Sequence, residues 1–202
     1  MEKIFLILLV IVSLASCKKD NGSNVNPNSG QLASLEVDPL LPFLPLENME
    51  GVTRVVFEDA MGEEKVYDIE ITKKAIDREV NSVEYQADQI AILYSNPDDF
   101  YTIAVTASGN YSSVTASNLY IQAIVNQTLV PCSLSINEQG QPNFAFFYEQ
   151  KDLLGQSFSN VFSNMFHDKD SAFGELYYNF EHGIIGFRDE NGNLFVFKEY
   201  KS

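Results

Sequence analysis

Residues 189–193, Asp-Glu-Asn-Gly-Asn, place side-chain oxygens at alternate positions, which is a donor pattern that calcium binds. A calcium loop of the EF-hand type also needs glycine at its sixth position and glutamate at its twelfth. Here glycine is the fourth residue and apolar residues follow at once. Residues 57–62 repeat the Phe-x-Asp-x-x-Gly pattern of residues 187–192, which is typical of a hairpin turn with glycine in the left-handed conformation. We predict two hairpin turns and no metal site.

Nucleophilic catalysis has few candidate residues. Ser157 lies in Gly-Gln-Ser-Phe-Ser, which lacks the closing glycine of a nucleophile elbow. The only possible imidazole bases, His167 and His182, lie in polar, turn-like contexts and are interpreted as solvated surface residues. Paired carboxylates for glycoside hydrolysis come together only in the fold, and the absence of tryptophan argues against an extended sugar-cleaving cleft. We predict that the protein is not an enzyme, with a hydrolase as the disfavoured alternative.

Aromatic residues are abundant, with 10 tyrosines and 15 phenylalanines and no tryptophan. A tyrosine side chain combines an apolar face with a polar tip, so a group of them could form a platform that stacks on sugars. The favoured alternative is that these rings pack a large β core, and the phenylalanines could instead line a concave sheet that accepts acyl chains. The candidate ligand-facing residues are Tyr85, Tyr94, Tyr101, Tyr111, Tyr120, Tyr177 and Tyr178.

Most of the chain after residue 50 alternates apolar and polar residues, which predicts strands separated by Gly, Asn, Pro and Ser turns. The clearest are a hairpin within residues 52–72 and strands over 101–107, 119–125 and 144–148. About nine or ten strands of this kind predict a mainly β fold. The expected architecture is an antiparallel sandwich or an open, curved half-barrel, with at most one or two short helices.

Two segments fit more than one pattern. Residues 73–94 have apolar residues at helical spacing, but strand-forming residues dominate after residue 81. We predict a turn or short helix at 73–80 and a strand at 83–94. Residues 158–166 are rich in serine and asparagine, which disfavours a helix. A strand there would place Phe158, Phe162 and Phe166 on one face.

The N-terminus has the form of a signal sequence. A charged start precedes apolar residues 4–14, a run shorter than the roughly 20 residues that cross a bilayer but typical of a secretory signal. Leu14-Ala15-Ser16-Cys17 resembles the lipobox of bacterial lipoproteins. In that family cleavage precedes the cysteine, whose thiol then carries a diacylglycerol and whose amine is often acylated. The alternative is an ordinary signal peptide in which Cys17 is incidental.

The residues after Cys17 bear on location. Lys18 stands where an aspartate would resemble an inner-membrane retention signal, so the outer membrane is expected. Lys18-Lys19-Asp20 also resembles the surface-export tag of Bacteroidota lipoproteins, which favours the cell surface slightly over the periplasmic side. Residues 20–30 are almost free of apolar side chains, as in a flexible tether. The expected organisation is a signal peptide at 1–16, lipidated cysteine and tether at 17–34, and a single β-rich domain at 35–202.

The net charge of −15 excludes nucleic acid as a partner, because a strongly negative surface repels phosphates. The same charge could attract basic partners, although solubility is the simpler interpretation. Once Cys17 is lipidated, Cys132 is the only remaining thiol and no intramolecular disulfide can form. We interpret Cys132, which lies in an apolar setting, as a small core residue.

Residues 175–195 resemble the closing segment of short, uncharacterised lipoproteins of Bacteroidota, and residues 83–99 are similar in character. The shared pattern is Tyr177-Tyr178, Gly183-Ile184, Asp189, Gly192 and a final aromatic, here Phe195 where tryptophan is frequent. The resemblance implies an outer-membrane lipoprotein and supplies no catalytic residues. We expect a non-catalytic binding or envelope-assembly role with no cofactor beyond the acyl chains on Cys17, a surface glycan-binding protein and a lipid carrier being the alternatives.

Overall fold

The computed structural model describes residues 34–35, 38–80, 83–99, 101–109, 117–125, 128–137, 139–143, 145–164, 175–189 and 191–202. Residues Ala33–Ser202 form one compact unit. The predicted signal peptide, Cys17 and nearly all of the predicted tether lie outside the described residues. The strands are β1 (Ser34–Leu35), β2 (Arg54–Glu58), β3 (Glu64–Val80), β4 (Val83–Ser95), β5 (Tyr101–Gly109), β6 (Ser117–Val125), β7 (Thr128–Asn137), β8 (Pro142–Asn143), β9 (Ala145–Leu153), β10 (Gln156–Asn164), β11 (Leu176–Asn179), β12 (Gly183–Arg188) and β13 (Leu194–Lys201). A short 3-10 helix, Asp38–Phe43, precedes β2.

The strands form a single 13-stranded sheet in the order β8-β7-β6-β5-β4-β3-β2-β13-β12-β11-β10-β9, with β1 added in parallel to β4. Every other pairing is antiparallel, and all but β2–β13 join strands that are consecutive in the chain. One residue separates β8 from β9, so the chain itself brings the two ends of the sheet together. The sheet is therefore nearly closed and barrel-like, which confirms the predicted mainly β, antiparallel fold.

The prediction of a turn or short helix at 73–80 is wrong, because β3 continues as a strand to Val80. Its register with β4 runs without interruption from Asp68 opposite Ser95 to Val80 opposite Val83. Each residue of 73–80 thus gains a partner across the ladder, and this tertiary pairing outweighs the local helical spacing. The strand predicted at 83–94 is confirmed as β4.

The interior of the sheet is filled by apolar side chains. In the central rows, Ile92 on β4 lies opposite Val105 on β5, which lies opposite Ile121 on β6, and all three are fully buried. A cavity wide enough for an acyl chain would leave the side chains that line it accessible to water. The described interior is therefore a packed core, in which each large aliphatic side chain contributes about 1.5–3 kcal/mol on burial.

Both predicted Phe-x-Asp-x-x-Gly turns are confirmed. Asp59 Oδ1 accepts hydrogen bonds from the backbone N–H groups of Met61 (2.8 Å) and Glu63 (2.9 Å). Asp189 Oδ1 makes the same pair of bonds two and four residues on, at 2.9 and 2.8 Å. Gly62 and Gly192 have φ values of 84° and 82°, which glycine adopts most readily. Because β2 pairs antiparallel with β13, the two turns lie at the same end of these neighbouring strands.

Candidate functional site

Among the surfaces that the described residues form, the outer edge of β9 is the most unusual. β9 is the last strand in the sheet order, and among the described residues it pairs only with β10. Its other edge therefore presents backbone N–H and C=O groups that can bond to another strand. Phe146 and Phe147 on β9 are 44% and 46% exposed. Successive residues point to opposite faces of a strand, so this edge carries an exposed phenyl ring on each face.

The sequence of β9 protects only half of this edge. Exposed edges are usually blunted by charged side chains, proline or a bulge. Residues 149–152, Glu-Gln-Lys-Asp, supply such charges, whereas residues 145–148, Ala-Phe-Phe-Tyr, contain none. The first half of the edge is therefore open to pairing, and the second half adds charges that can select the partner.

Phe147 is held in place by a row of aromatic rings. Its ring centroid lies 5.1 Å from that of Phe162, which lies 5.0 Å from Phe180, which in turn lies 4.9 Å from Phe43 in the 3-10 helix. Such tilted pairs stabilise one another beyond the area that they bury. An exposed ring with this support loses little rotational freedom when a partner covers it.

Lys151 and Glu149 provide the charges of the β9 edge. The Lys151 ammonium lies 4.5 Å from the centroid of the Tyr148 ring and 5.8 Å from that of Tyr177, in cation–π contact. Neither Lys151 nor Glu149 takes part in the ion pairs that the described residues form. Both charges are thus available to a partner.

The turn after β9 is strained. Leu154 has a φ of 47° and Gly155 a φ of 84°, as in the two-residue hairpins that usually carry Asn-Gly or Gly-Gly. A leucine in the left-handed region costs about 1–2 kcal/mol. Its side chain is 44% exposed, so burial in this chain does not offset that cost.

Three of the predicted ligand-facing tyrosines do not form an exposed platform. Tyr94 and Tyr178 are fully buried, and Tyr177 is nearly so. Tyr120 on β6 is half-buried, and Tyr85 and Tyr101 lie on β4 and at the start of β5, where only their backbone is described. Tyr111 lies outside the described residues. The tyrosine side chains that the structure places inside thus favour the core-packing interpretation.

The buried tyrosines group around Gly183. The Tyr178 hydroxyl donates to the backbone oxygen of Phe43 (2.5 Å), and the Tyr200 hydroxyl donates to that of His182 (2.7 Å). Within the described chain the Tyr94 hydroxyl makes no hydrogen bond of normal geometry. Burial raises the pKa of Tyr94 well above its ordinary value, the other two tyrosines add to the rise, and the backbone of Ile184 opposes it. Burial also raises the pKa of Tyr178 and of Tyr200, so these hydroxyls stay protonated at neutral pH.

The two candidate catalytic residues within the described part, Ser157 and His182, each contact neighbouring side chains. His182 lies in a turn, as expected, and its side chain is 27% exposed, while its ring also stacks on Phe197 at 4.7 Å and meets the edge of Phe158 at 6.3 Å. Ser157 is exposed on β10, and its Oγ accepts a hydrogen bond from Gln150 Nε2 (2.7 Å). His167 lies outside the described residues, and of Cys132 only the backbone, on β7, is described.

A buried ion cluster joins β3 to two turns, the one that holds Asp99 and the one that holds Asp189. Lys65 Nζ on β3 lies 3.0 Å from Asp99 Oδ2 and 3.8 Å from Asp189 Oδ2. The same ammonium lies 4.8 Å from the centroid of the Phe195 ring, and the Tyr67 hydroxyl donates to Asp99. Across the described ranges, no group of three or more His, Cys, Asp or Glu side chains could hold a metal ion. The cluster is best explained as a structural tie between β3 and the turns.

The described residues thus define a class of structure, an up-and-down antiparallel sheet that is nearly closed on itself and carries one open aromatic edge. No family model, curated protein or solved structure matches this chain. Helices long and apolar enough to span a membrane are not found in the described part of the chain.

Proposed function

We propose that the protein is an outer-membrane lipoprotein whose β-rich domain binds another polypeptide through the edge of β9, as a non-catalytic component of an envelope assembly. The observation that carries this proposal is the pair of exposed rings, Phe146 and Phe147, on the two faces of one unpaired strand edge. An extended partner segment added there would complete the backbone hydrogen bonds. Its side chains would also cover both rings.

The described structure gives less support to the two other binding roles. A glycan platform needs accessible tyrosines, whereas Tyr94 and Tyr178 are fully buried. A lipid carrier needs an open interior, whereas the rows of side chains across β4, β5 and β6 are packed together. The aromatic edge of β9 requires neither and is suited to a protein partner.

The anchoring part of the proposal rests on the Leu-Ala-Ser-Cys motif and is tested at Cys17. We expect Cys17→Ala to abolish acylation, because the thiol that carries the diacylglycerol is lost. The chain should then leave the outer-membrane fraction, and its mass should lack the glyceride and acyl chains. Fractionation with mass spectrometry measures both effects. A variant that keeps its location and its mass would contradict the lipid anchor.

The binding part of the proposal is tested on living cells. A photo-reactive phenylalanine analogue in place of Phe146 should crosslink the chain to a discrete partner. Replacing Phe147 by serine in that variant should lower the yield about thirtyfold, since a central aromatic of an interface contributes about 2 kcal/mol or more. The matched control places the same analogue at Ile71, an apolar residue of β3 that is 42% exposed.

We expect little crosslinking from the position of Ile71, because β3 is paired on both edges, with β2 and β4. Equal yields from the two positions would show that exposure alone governs crosslinking. The edge of β9 would then have no binding role, whatever the outcome of the Cys17 experiment.

A further inference from the structure

We infer that the partner of β9 is β9 of a second copy of this chain, paired antiparallel about a two-fold axis at Gln150. This inference rests on the proposed function, since it names the polypeptide that the edge binds. In a two-fold interface the same patch serves both subunits, so β9 must complement itself when its direction is reversed. The charges and rings of β9 meet this condition in one register.

The register centred on Gln150 pairs opposite charges and apolar side chains. Residues equally far from the axis face each other, so Glu149 lies opposite Lys151 of the partner subunit, and this pair occurs twice. Phe147 then lies opposite Leu153 of the partner subunit, and Phe146 lies beside the turn that follows the partner's β9 and carries Leu154 of the partner subunit. Every exposed large hydrophobic residue of the β9 segment described above gains an apolar neighbour.

Neighbouring registers lack this complementarity. A two-fold axis normal to the sheet leaves each residue on the same face of the sheet in both subunits. Every allowed register therefore places one residue opposite its own copy, and neighbouring registers differ in which residue that is. Centring on Glu149 places two like charges opposite each other, which is destabilising. Centring on Tyr148 places Phe147 opposite Glu149 of the partner subunit and leaves Lys151 opposite an alanine.

The charges of the single chain also favour the pairing. Glu149 and Lys151 form no ion pair within the described ranges, where the Lys151 ammonium lies over the rings of Tyr148 and Tyr177. The net charge of −15 opposes the approach of two copies. Screening at physiological ionic strength limits that repulsion to about 8 Å, whereas the Glu–Lys pairs act at contact. Anchoring of both copies in one membrane would further raise their effective concentration.

Disulfide trapping in the full-length, membrane-anchored chain tests the register. Gln150→Cys, with Cys132 replaced by serine, should form a covalent dimer under mild oxidation, because directly opposite residues have Cβ atoms about 4.5–5.5 Å apart. Gln150 makes one exposed side-chain hydrogen bond, to Ser157, so its loss should be tolerated. The matched control is Tyr148→Cys, whose two copies would be about 13 Å apart and should not be trapped.

Charge exchange within the Gln150→Cys chain tests the complementarity. Glu149→Lys alone or Lys151→Glu alone should lower the dimer yield at least about fivefold, because each turns two attractive pairs into repulsive ones. The double exchange should restore the yield. Co-expression of the two single variants should also restore it, since each supplies the charge that the other lacks. A variant that merely misfolds would not recover on mixing.

Each of the following outcomes would overturn the inference. Equal trapping of Gln150→Cys and Tyr148→Cys would exclude the register, as would charge variants whose double exchange fails to recover. Absence of any dimer together with a partner of different mass crosslinked at Phe146 would refute the second copy and leave the proposed function standing. Loss of both kinds of crosslink would refute the proposed function as well.

Discussion

Replacement of Gly183 by alanine is expected to lower the free energy of unfolding by more than about 3 kcal/mol. Gly183 is buried at the start of β12 with a φ of 66°, where a side chain alone costs about 1–2 kcal/mol. A Cβ atom there would lie 2.5 Å from the Tyr94 hydroxyl oxygen and 3.0 Å from Pro45 Cγ. Tyr94 is fully buried and cannot swing into solvent, so the backbone must move instead. Urea unfolding monitored by circular dichroism measures the loss.

Gly192→Ala is the matched control for Gly183→Ala. Gly192 has a similar positive φ of 82°, but a Cβ atom there would meet nothing within 4 Å. This variant should lose only the backbone term, about 1–2 kcal/mol. Adding Tyr94→Phe should recover part of the stability of Gly183→Ala, because the atom in closest conflict is removed. Equal losses at Gly183 and Gly192 would show that contact with Tyr94 and Pro45 contributes nothing.

Local pattern was sufficient for the turns and for most strands of this fold. The Phe-x-Asp-x-x-Gly turns are predictable because their structure depends only on residues within the turn. The aspartate accepts hydrogen bonds from backbone N–H groups of its own turn, and the glycine adopts a positive φ. Closure of the sheet was not predictable. It depends on β2 pairing with β13, and alternation shows which residues share a face but not which strands become neighbours.

The candidate site, like the fold, could be predicted only in part from the sequence. Tyr94 and Tyr178 carry no local signal of burial, since a tyrosine can lie either in a core or on a surface. The edge of β9 did carry a signal that the prediction of a strand at 144–148 left unused. Phe146 and Phe147 occupy both faces of one strand, and charged residues begin just after Tyr148. A strand with no polar face over its first half, in a sheet with one solvated surface, indicates contact with something outside the chain.

The buried ion cluster gives the second large expected effect. We expect Lys65→Met to lower the free energy of unfolding by about 3–5 kcal/mol, as is found when one partner of a buried ion pair is removed. The Lys65, Asp99 and Asp189 side chains are only 14%, 3% and 4% exposed. Methionine keeps most of the apolar stem against Phe195, so the loss reports the ammonium rather than packing. Without the ammonium, the two aspartate carboxylates remain close together with little access to water.

The matched control for this effect is Lys198→Met. Lys198 also joins two carboxylates, Glu58 and Glu64, but its side chain is 39% exposed and water screens the pairs. That variant should change the unfolding midpoint little. Adding Asp99→Asn to Lys65→Met should recover part of the loss, because one of the uncompensated charges is removed while Tyr67 keeps an acceptor. Equal losses for Lys65→Met and Lys198→Met would mean that burial does not increase the contribution of the ion cluster to stability. In that case β3 would be held to the two turns only by its strand pairing and its aromatic contacts.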